Sequence, residues 1–244
     1  MSPVRTILRR ELRSYFATPI AYVFIIIFLL FLNLFAFQIG RIYESGQSEL
    51  SAFFTFHPWL YLILIPAVSM RFWAEERNSG SIELLLTQPI TLWQAVIAKF
   101  LAGWLFVAFA LFLTFPIWIT INYLGSPDNG TIFASYLGSL FMAGAYLAIG
   151  SFMSALTRSQ VIALILSVAV GLVFLLIGYP IVTEWASAVL PQAVANGLAS
   201  LSFLTHYEAI AKGVIDIRDI LYSAMLIGFF LLATTVALDI RKAE

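Results

Sequence analysis

The stretch AEERNSGSIELLLTQPI, residues 74–90, places three glutamates and one arginine between two long apolar runs. The runs on either side decide what kind of protein this is. Hydrophobic residues make up 61% of the 244 and charged residues 11%, against roughly 25% charged in an ordinary soluble domain. A soluble core of this size has no room for 22 phenylalanines and the aliphatic residues around them. Lipid is therefore the solvent for most of the chain. The net charge is zero, which provides no basic footprint for nucleic acid. Cysteine is absent, so neither disulfides nor thiolate metal sites are available.

No Asp, Glu, Lys or Arg occurs in residues 14–40, 50–70, 100–127, 129–157, 159–183 or 220–238. Each interval can supply the roughly 20 residues that a helix needs to cross the hydrocarbon layer. The runs lack the alternation of barrel strands. The expected fold is thus an all-α polytopic membrane protein with six transmembrane helices in a single domain, 1–244. The first apolar run is too long for a signal peptide and ends at no convincing small-residue cleavage site. With six spans both termini share a side. Ten of the thirteen Lys and Arg residues fall on that side, and Arg41, Lys212 and Arg218 on the other. The positive-inside rule makes the termini and residues 71–99 cytoplasmic.

Residues 2–16, SPVRTILRRELRSYF, read as an amphipathic helix along the membrane surface, with Ser2 as cap and Pro3 in the first turn. Val4, Ile7, Leu8, Leu12 and Tyr15 share one face and Arg5, Arg9, Arg10 and Arg13 the other. Glu11 falls within the apolar face. It either snorkels or pairs with a nearby arginine, or it contacts a partner or the cytoplasmic loop. The second span starts at His57 and carries Pro66, and the third carries Pro116; each proline is a kink or a hinge. Gly144 with Ala148, and Gly150 with Ser154, have the spacing of closely packed helices. Residues 184–218 are too apolar for a solvated loop. One or two short helices are expected there, lying on or re-entering the bilayer, with Asp219 helping to cap the last span. His206 beside Tyr207 reads as structural rather than metal-binding.

No phosphate-binding G-x-x-x-x-G-K-[ST] loop, H-E-x-x-H or G-x-S-x-G motif is present. The spans contain no ionisable residue from the Asp, Glu, Lys and Arg set, which argues against a proton- or ion-coupled carrier. The chain is read as non-catalytic, binding no cofactor or metal, so any energy for transport arrives from outside.

The opening stretch is where that energy can enter. Gly80 breaks any helix continuing from the second span, and Ser81 can cap a new one with Glu83 in its first turn. Ile82, Leu85 and Leu86 then share a face, and Pro89 stops the helix. Thr91 and Gln94 form a capping box for the helix that runs through Lys99 into the third span. Two turns of helix do not persist alone in water. This one lies either on the bilayer surface or in a cleft of a cytoplasmic motor.

MRFWAEERNSGSIELLLTQPITLWQAVIAKFLA (70–102) resembles the cytoplasmic loop of ABC-2-type transporter permeases, most closely the gliding-motility-associated subfamily. LGSLFMAGAYLAIGSFMSALTRSQ (137–160) and THYEAIAKGVIDIRDILY (205–222) resemble that subfamily's fourth span and the segment before its last span. The resemblance implies six spans, pairing with a second copy or a similar permease, and two cytoplasmic ABC ATPase subunits that hold the ATP and magnesium. It makes 75–88 the coupling-helix region. Glu75, Glu76 and Arg77 flank its approach, Gly80 precedes it, and Ile82, Glu83, Leu84 and Leu85 touch the ATPase. The N-terminal helix becomes the connecting helix, with Glu11 facing the loop. An auxiliary protein with an extracytoplasmic domain is the further partner, and the bacterial cytoplasmic membrane the location. Two functions follow from the resemblance. One is an ATP-driven exporter, whose path at the dimer interface is lined by Asn33, Gln38, Thr114, Thr120 and Asn122. The other is a mechanical transmitter that drives the extracytoplasmic partner without cargo. A secondary carrier ranks third.

Overall fold

The structure is a computed structural model describing residues 3–39, 50–82 and 90–240. Among the described residues every regular element is helical. Helix α1 (Pro3–Ala17) is separated from α2 (Pro19–Leu34) by Thr18, whose extended backbone precedes Pro19. Proline biases the residue before it away from helix, so the chain turns here. A π-helical turn, Phe35–Ile39, extends α2. Helices α3 (Ser51–Thr55), α4 (His57–Ser69) and α5 (Arg71–Asn78) follow. Beyond the loop lie α6 (Leu92–Phe112) and α7 (Phe115–Leu124), with Pro116 in the first turn of α7. Then come α8 (Asn129–Leu156), α9 (Gln160–Leu176), α10 (Pro180–Val189), α11 (Gln192–Ala199), α12 (Phe203–Ala211) and α13 (Ile217–Ile240).

Four helical runs among the described residues are long and apolar enough to cross a membrane: Ala21–Gln38, Leu92–Leu124, Asn129–Leu156 and Ile217–Ile240. A fifth exists if α9 and α10 are one span, but they meet at a 70° bend. The chain is therefore a polytopic membrane protein with four or five such runs. The interval expected to hold the second span is divided, because α3 stops at Thr55 and α4 has 13 residues. At 1.5 Å per residue α4 is about 20 Å long, short of the roughly 30 Å hydrocarbon layer.

Packing centres on α8, most of which is buried. It touches α4, α5, α6, α9, α12 and α13. Its small residues admit close neighbours, as their spacing predicts: a Cβ on Gly150 would lie 1.8 Å from Ser69 Oγ of α4. Tyr61 and Ser139 hydroxyls share a buried hydrogen bond of 2.8 Å across the α4–α8 contact. Helix α1 lies against α6, with Tyr15 stacked on Phe106 at 5.2 Å between ring centroids. Its expected apolar face is the one turned inward. Ile7 is buried and Val4, Leu8, Leu12 and Tyr15 half-buried, while Arg5, Arg9, Arg10 and Arg13 are exposed.

The segment 184–218 holds more helix than expected, with the end of α10 followed by α11 and α12. They form a shelf beside the bundle. Tyr207 of α12 donates its hydroxyl to Phe54 O at 2.9 Å, tying the shelf to α3. The cap of α13 differs from expectation. Asp216 precedes the helix and its Oδ1 accepts from Arg218 N at 2.9 Å. Asp219 lies inside the first turn and faces His206 instead.

Candidate functional site

Helix α5 begins where the backbone ladder of α4 is interrupted, and side chains of α8 fill the interruption. Trp73 N and Ala74 N both donate to Ser154 Oγ, at 3.1 and 3.0 Å. The Ser154 hydroxyl in turn donates to Met70 O at 2.8 Å. Helix starts leave amide donors without partners in their own helix, and burying them unmet is costly. One serine from another helix resolves this for α5. The Trp73 indole, fully buried, donates to Ser151 Oγ at 3.1 Å. Arg77 donates to Ala155 O at 2.6 Å, beside the C-terminal turn of α8, where backbone carbonyls favour a cation.

A second anchor holds α5 to α6. Lys99 is only 4% exposed. Its ammonium donates to Glu76 Oε1 at 2.6 Å and to Phe72 O at 2.7 Å, and lies 4.8 Å from the centre of the Trp73 ring. A buried ammonium needs such company, because desolvation without a counter-charge would discharge it. Helix α5 is thus fixed on both flanks, and the chain leaves it through Ser79 and Gly80. Gly80 has φ +71°, the left-handed conformation that ends a helix at low cost only for residues without a Cβ. The break expected at Gly80 is present. So is the capping box at the other end of the loop, where Thr91 N donates to Gln94 Oε1 and Gln94 N to Thr91 Oγ1, at 3.2 and 3.3 Å.

Between α1, α2, the α4–α5 corner and α6 is a cleft of about 590 Å³. Its polar end carries Arg10, Glu11, Arg71, Glu75, Glu76 and Lys99. Glu11 pairs with its neighbour Arg10 at 2.7 Å and faces this cleft, so the first turns of α5 and the middle of α1 share one polar pocket. Arg71 Nε stands 4.0 Å from Glu75 Oε2. Burial pushes the Tyr15 phenol up, the Glu11 carboxylate adds to this and Arg71 opposes it. The sequence-predicted residues Glu11, Glu75 and Glu76 are therefore brought together, and Arg77 points instead to α8. Ile82 is half-buried against the core. Glu83, Leu84 and Leu85 lie outside the described residues.

The polar residues expected along a path are not gathered at one place within the chain. Asn33 and Gln38 share a shallow groove on α2, and the Asn33 amide donates to Leu29 O of its own helix at 2.7 Å. Thr114 is buried at the α6–α7 break, bonded to Leu111 O and the Tyr136 hydroxyl. Thr120 and Asn122 lie on exposed α7, satisfied by Pro116 O and by Trp118 O with Asn129. On the shelf, His206 uses both ring nitrogens, Nδ1 with Asp219 Oδ1 at 2.6 Å and Nε2 with Ser200 O at 2.8 Å, and stacks on Tyr222.

Sequence reasoning missed Lys99 as a buried tether, and Ser151, Ser154 and the Ala155 carbonyl as its counterparts on α8. Ser154 carried one signal, its place in the small-residue stripe, which pointed to packing and not to hydrogen bonding.

The family model described as "ABC-2 family transporter protein" matches residues 6–240. No curated protein matches the chain.

Proposed function

We propose, from the premise that this chain belongs to the ABC-2 family as a transporter permease component, that it is the membrane half of an ATP-driven exporter. Two cytoplasmic ABC ATPase subunits, holding ATP and magnesium, grip the 75–88 region of each of two permease chains in the bacterial cytoplasmic membrane. Glu75, Glu76 and Arg77 flank the approach, Gly80 sets the turn, and Ile82, Glu83, Leu84 and Leu85 make the contact. ATPase closure drags these segments together and rocks the spans, opening a path at the interface between the two chains. The sequence pattern at 70–102, 137–160 and 205–222 supports the gliding-motility-associated branch, with its auxiliary extracytoplasmic protein.

The observation that carries this reading is the fastening of α5. A loop that receives force must be stiffly joined to what it moves. Helix α5 is joined to α8 through Ser151, Ser154 and Ala155 and to α6 through Lys99. Met70 keeps a right-handed helical backbone and its N donates to Pro66 O at 2.9 Å. Helix α5 therefore follows α4 directly, with only Met70 between them. Substituting Glu83→Lys is expected to abolish co-purification of the ATPase while the permease stays in the membrane at normal levels. Unchanged binding removes the assignment of that segment.

A second reading, a transmitter that drives an extracytoplasmic partner without cargo, draws on the shelf. Ile181, Trp185 and Val189 of α10 are 72%, 68% and 64% exposed, and their spacing puts them on one helical face. Stimulation of ATP hydrolysis in liposomes by a cargo favours export, and stimulation by an extracytoplasmic protein alone favours transmission.

A further inference from the structure

We infer that the cleft between α1, α2, α4–α5 and α6 binds a phospholipid with a primary-amine headgroup, of the phosphatidylethanolamine class. The cleft sits where such a molecule would enter. Its apolar walls come from the first turns of the span beginning at Ala21, through Phe24 and Ile27, and from Leu64 and Val68 near the end of α4. Its polar end lies just past both of those helix ends. The cavity thus straddles the boundary between acyl chains and headgroups, as an amphiphile does.

Two buried polar atoms at that polar end have no hydrogen-bond partner, Arg71 Nε and Glu76 Oε2. Buried polar groups are normally paired, and an orphan points to a missing ligand atom or water. Here one orphan is a donor on a cation and the other an acceptor on an anion. Glu76 offers Lys99 only its Oε1, which leaves the second oxygen without a hydrogen-bond partner. A ligand that satisfies both must carry an acceptor, such as a phosphate oxygen, for Arg71. It must also carry an N–H donor for Glu76.

Charge balance narrows the class. The polar end holds three cations, Arg10, Arg71 and Lys99, and three carboxylates, Glu11, Glu75 and Glu76. A lipid with net negative charge would meet three carboxylates with no cation to spare. A zwitterion leaves the balance intact. Among zwitterionic headgroups, a quaternary ammonium has no N–H and leaves Glu76 Oε2 unmet, whereas a primary ammonium donates to it. The phosphate lies on Arg71, the ammonium on Glu76 with Glu75 beside it, and an acyl chain runs between α2 and α4 along Phe24, Ile27 and Leu64. This site needs only that the chain is embedded in lipid, so it stands or falls separately from ATPase docking.

The test is native mass spectrometry of the delipidated full chain, titrated with phosphatidylethanolamine, phosphatidylcholine or phosphatidylglycerol of identical acyl chains. Phosphatidylethanolamine is expected to bind at about tenfold lower concentration than the other two, the scale of one charge-assisted hydrogen bond. Glu76→Gln replaces the acceptor by an amide and should cut that preference to about twofold or less. Arg71→Gln should weaken both zwitterionic lipids together. Ala67→Phe leaves every charged group in place and fills the apolar wall, so it should abolish binding in a chain whose thermal unfolding is otherwise retained. Equal binding of the three lipids, preference for the anionic one, an unchanged preference in Glu76→Gln, or no bound lipid would each overturn the assignment.

Discussion

Replacing Lys99 by methionine keeps the length of the side chain and removes its charge. In the native protein the ammonium serves two acceptors within 2.7 Å and lies against Trp73, and the Glu76 side chain opposite is 19% exposed. Removing one member of a buried ion pair costs about 3–5 kcal/mol, mostly because the remaining charge is stranded. Glu76 borders a cleft that water can reach, which relieves part of this and places Lys99→Met near the lower end, about 3 kcal/mol. Glu76→Gln keeps an oxygen for the ammonium and should cost about 1 kcal/mol. Lys99→Met combined with Glu76→Met removes both charges together and should return to within about 1 kcal/mol of the native protein, because an apolar replacement of a buried pair is often neutral. Detergent-driven unfolding followed by tryptophan fluorescence reads these values, since Trp73 sits at the pair. Lys99→Met, reconstituted with the ATPase, should keep ATPase binding and lose stimulation of transport. A Lys99→Met protein within 0.5 kcal/mol of native, or a double variant no better than the single, would refute the tether.

Other substitutions test the joints around it. Gly150→Val sets a Cβ 1.8 Å from Ser69 Oγ and should destabilise by about 1–3 kcal/mol, the range for overpacking, whereas Gly197→Val, whose Cβ meets nothing within 4 Å, should cost much less in the same unfolding assay. Thr91→Ala removes one half of a capping box and should cost about 1 kcal/mol, visible as faster amide hydrogen exchange in the first turn of α6. The Asp128 carboxyl is held below its ordinary value by the Thr131 side chain and the Thr131 and Gly130 amides. Its contribution is therefore present above the unfolded value near 4 and fades as pH falls through the lower folded value. Asp128→Asn should flatten that acid limb of the stability profile.

What the sequence made legible was local. The inward face of α1, the stop at Gly80, the capping box at Thr91 and the helix start at His57 depend on residues within a few positions of each other, and each is where its pattern places it. Charge-free length was a weaker guide to crossings, since it records which side chains avoid water but not whether the backbone continues as helix. In 50–70 the helix restarts at His57, and in 159–183 the chain bends at Gly178 and Pro180. The tethers were hidden for a different reason. Ser154 meets Met70, Trp73 and Ala74 from about 80 residues away, and Lys99 meets Glu76 across the loop. A lysine at the end of a span reads as a snorkelling, topology-setting charge, and only the packed bundle shows it turned inward. Asp219 was misread as a cap because its real partner, His206, belongs to a separate helix.

The fastening of α5 matters because of what lies at the far end of α8. That helix has 28 residues, about 42 Å, and is unbroken. At its C-terminal end Ser151, Ser154 and Ala155 hold α5. Toward its N-terminal end Ser135 donates to Ala211 O at 3.3 Å, and Gly138 brings the helix so near α12 that a Cβ there would lie 2.8 Å from Ile210. A displacement of α5 by an ATPase can therefore reach the α10–α12 shelf through one continuous rod, with hydrogen bonds or close packing at each joint. Export and transmission both need that rod, and they differ in what its far end moves. Weakening only the far joint separates them from a simple loss of docking. Ser135→Ala with Gly138→Leu should leave the proposed ATPase binding at the 75–88 region intact while uncoupling hydrolysis from any event on the shelf side. If that double variant coupled as well as the native chain, force would have to travel by α6 through Lys99, and α8 would be only the scaffold on which α5 rests.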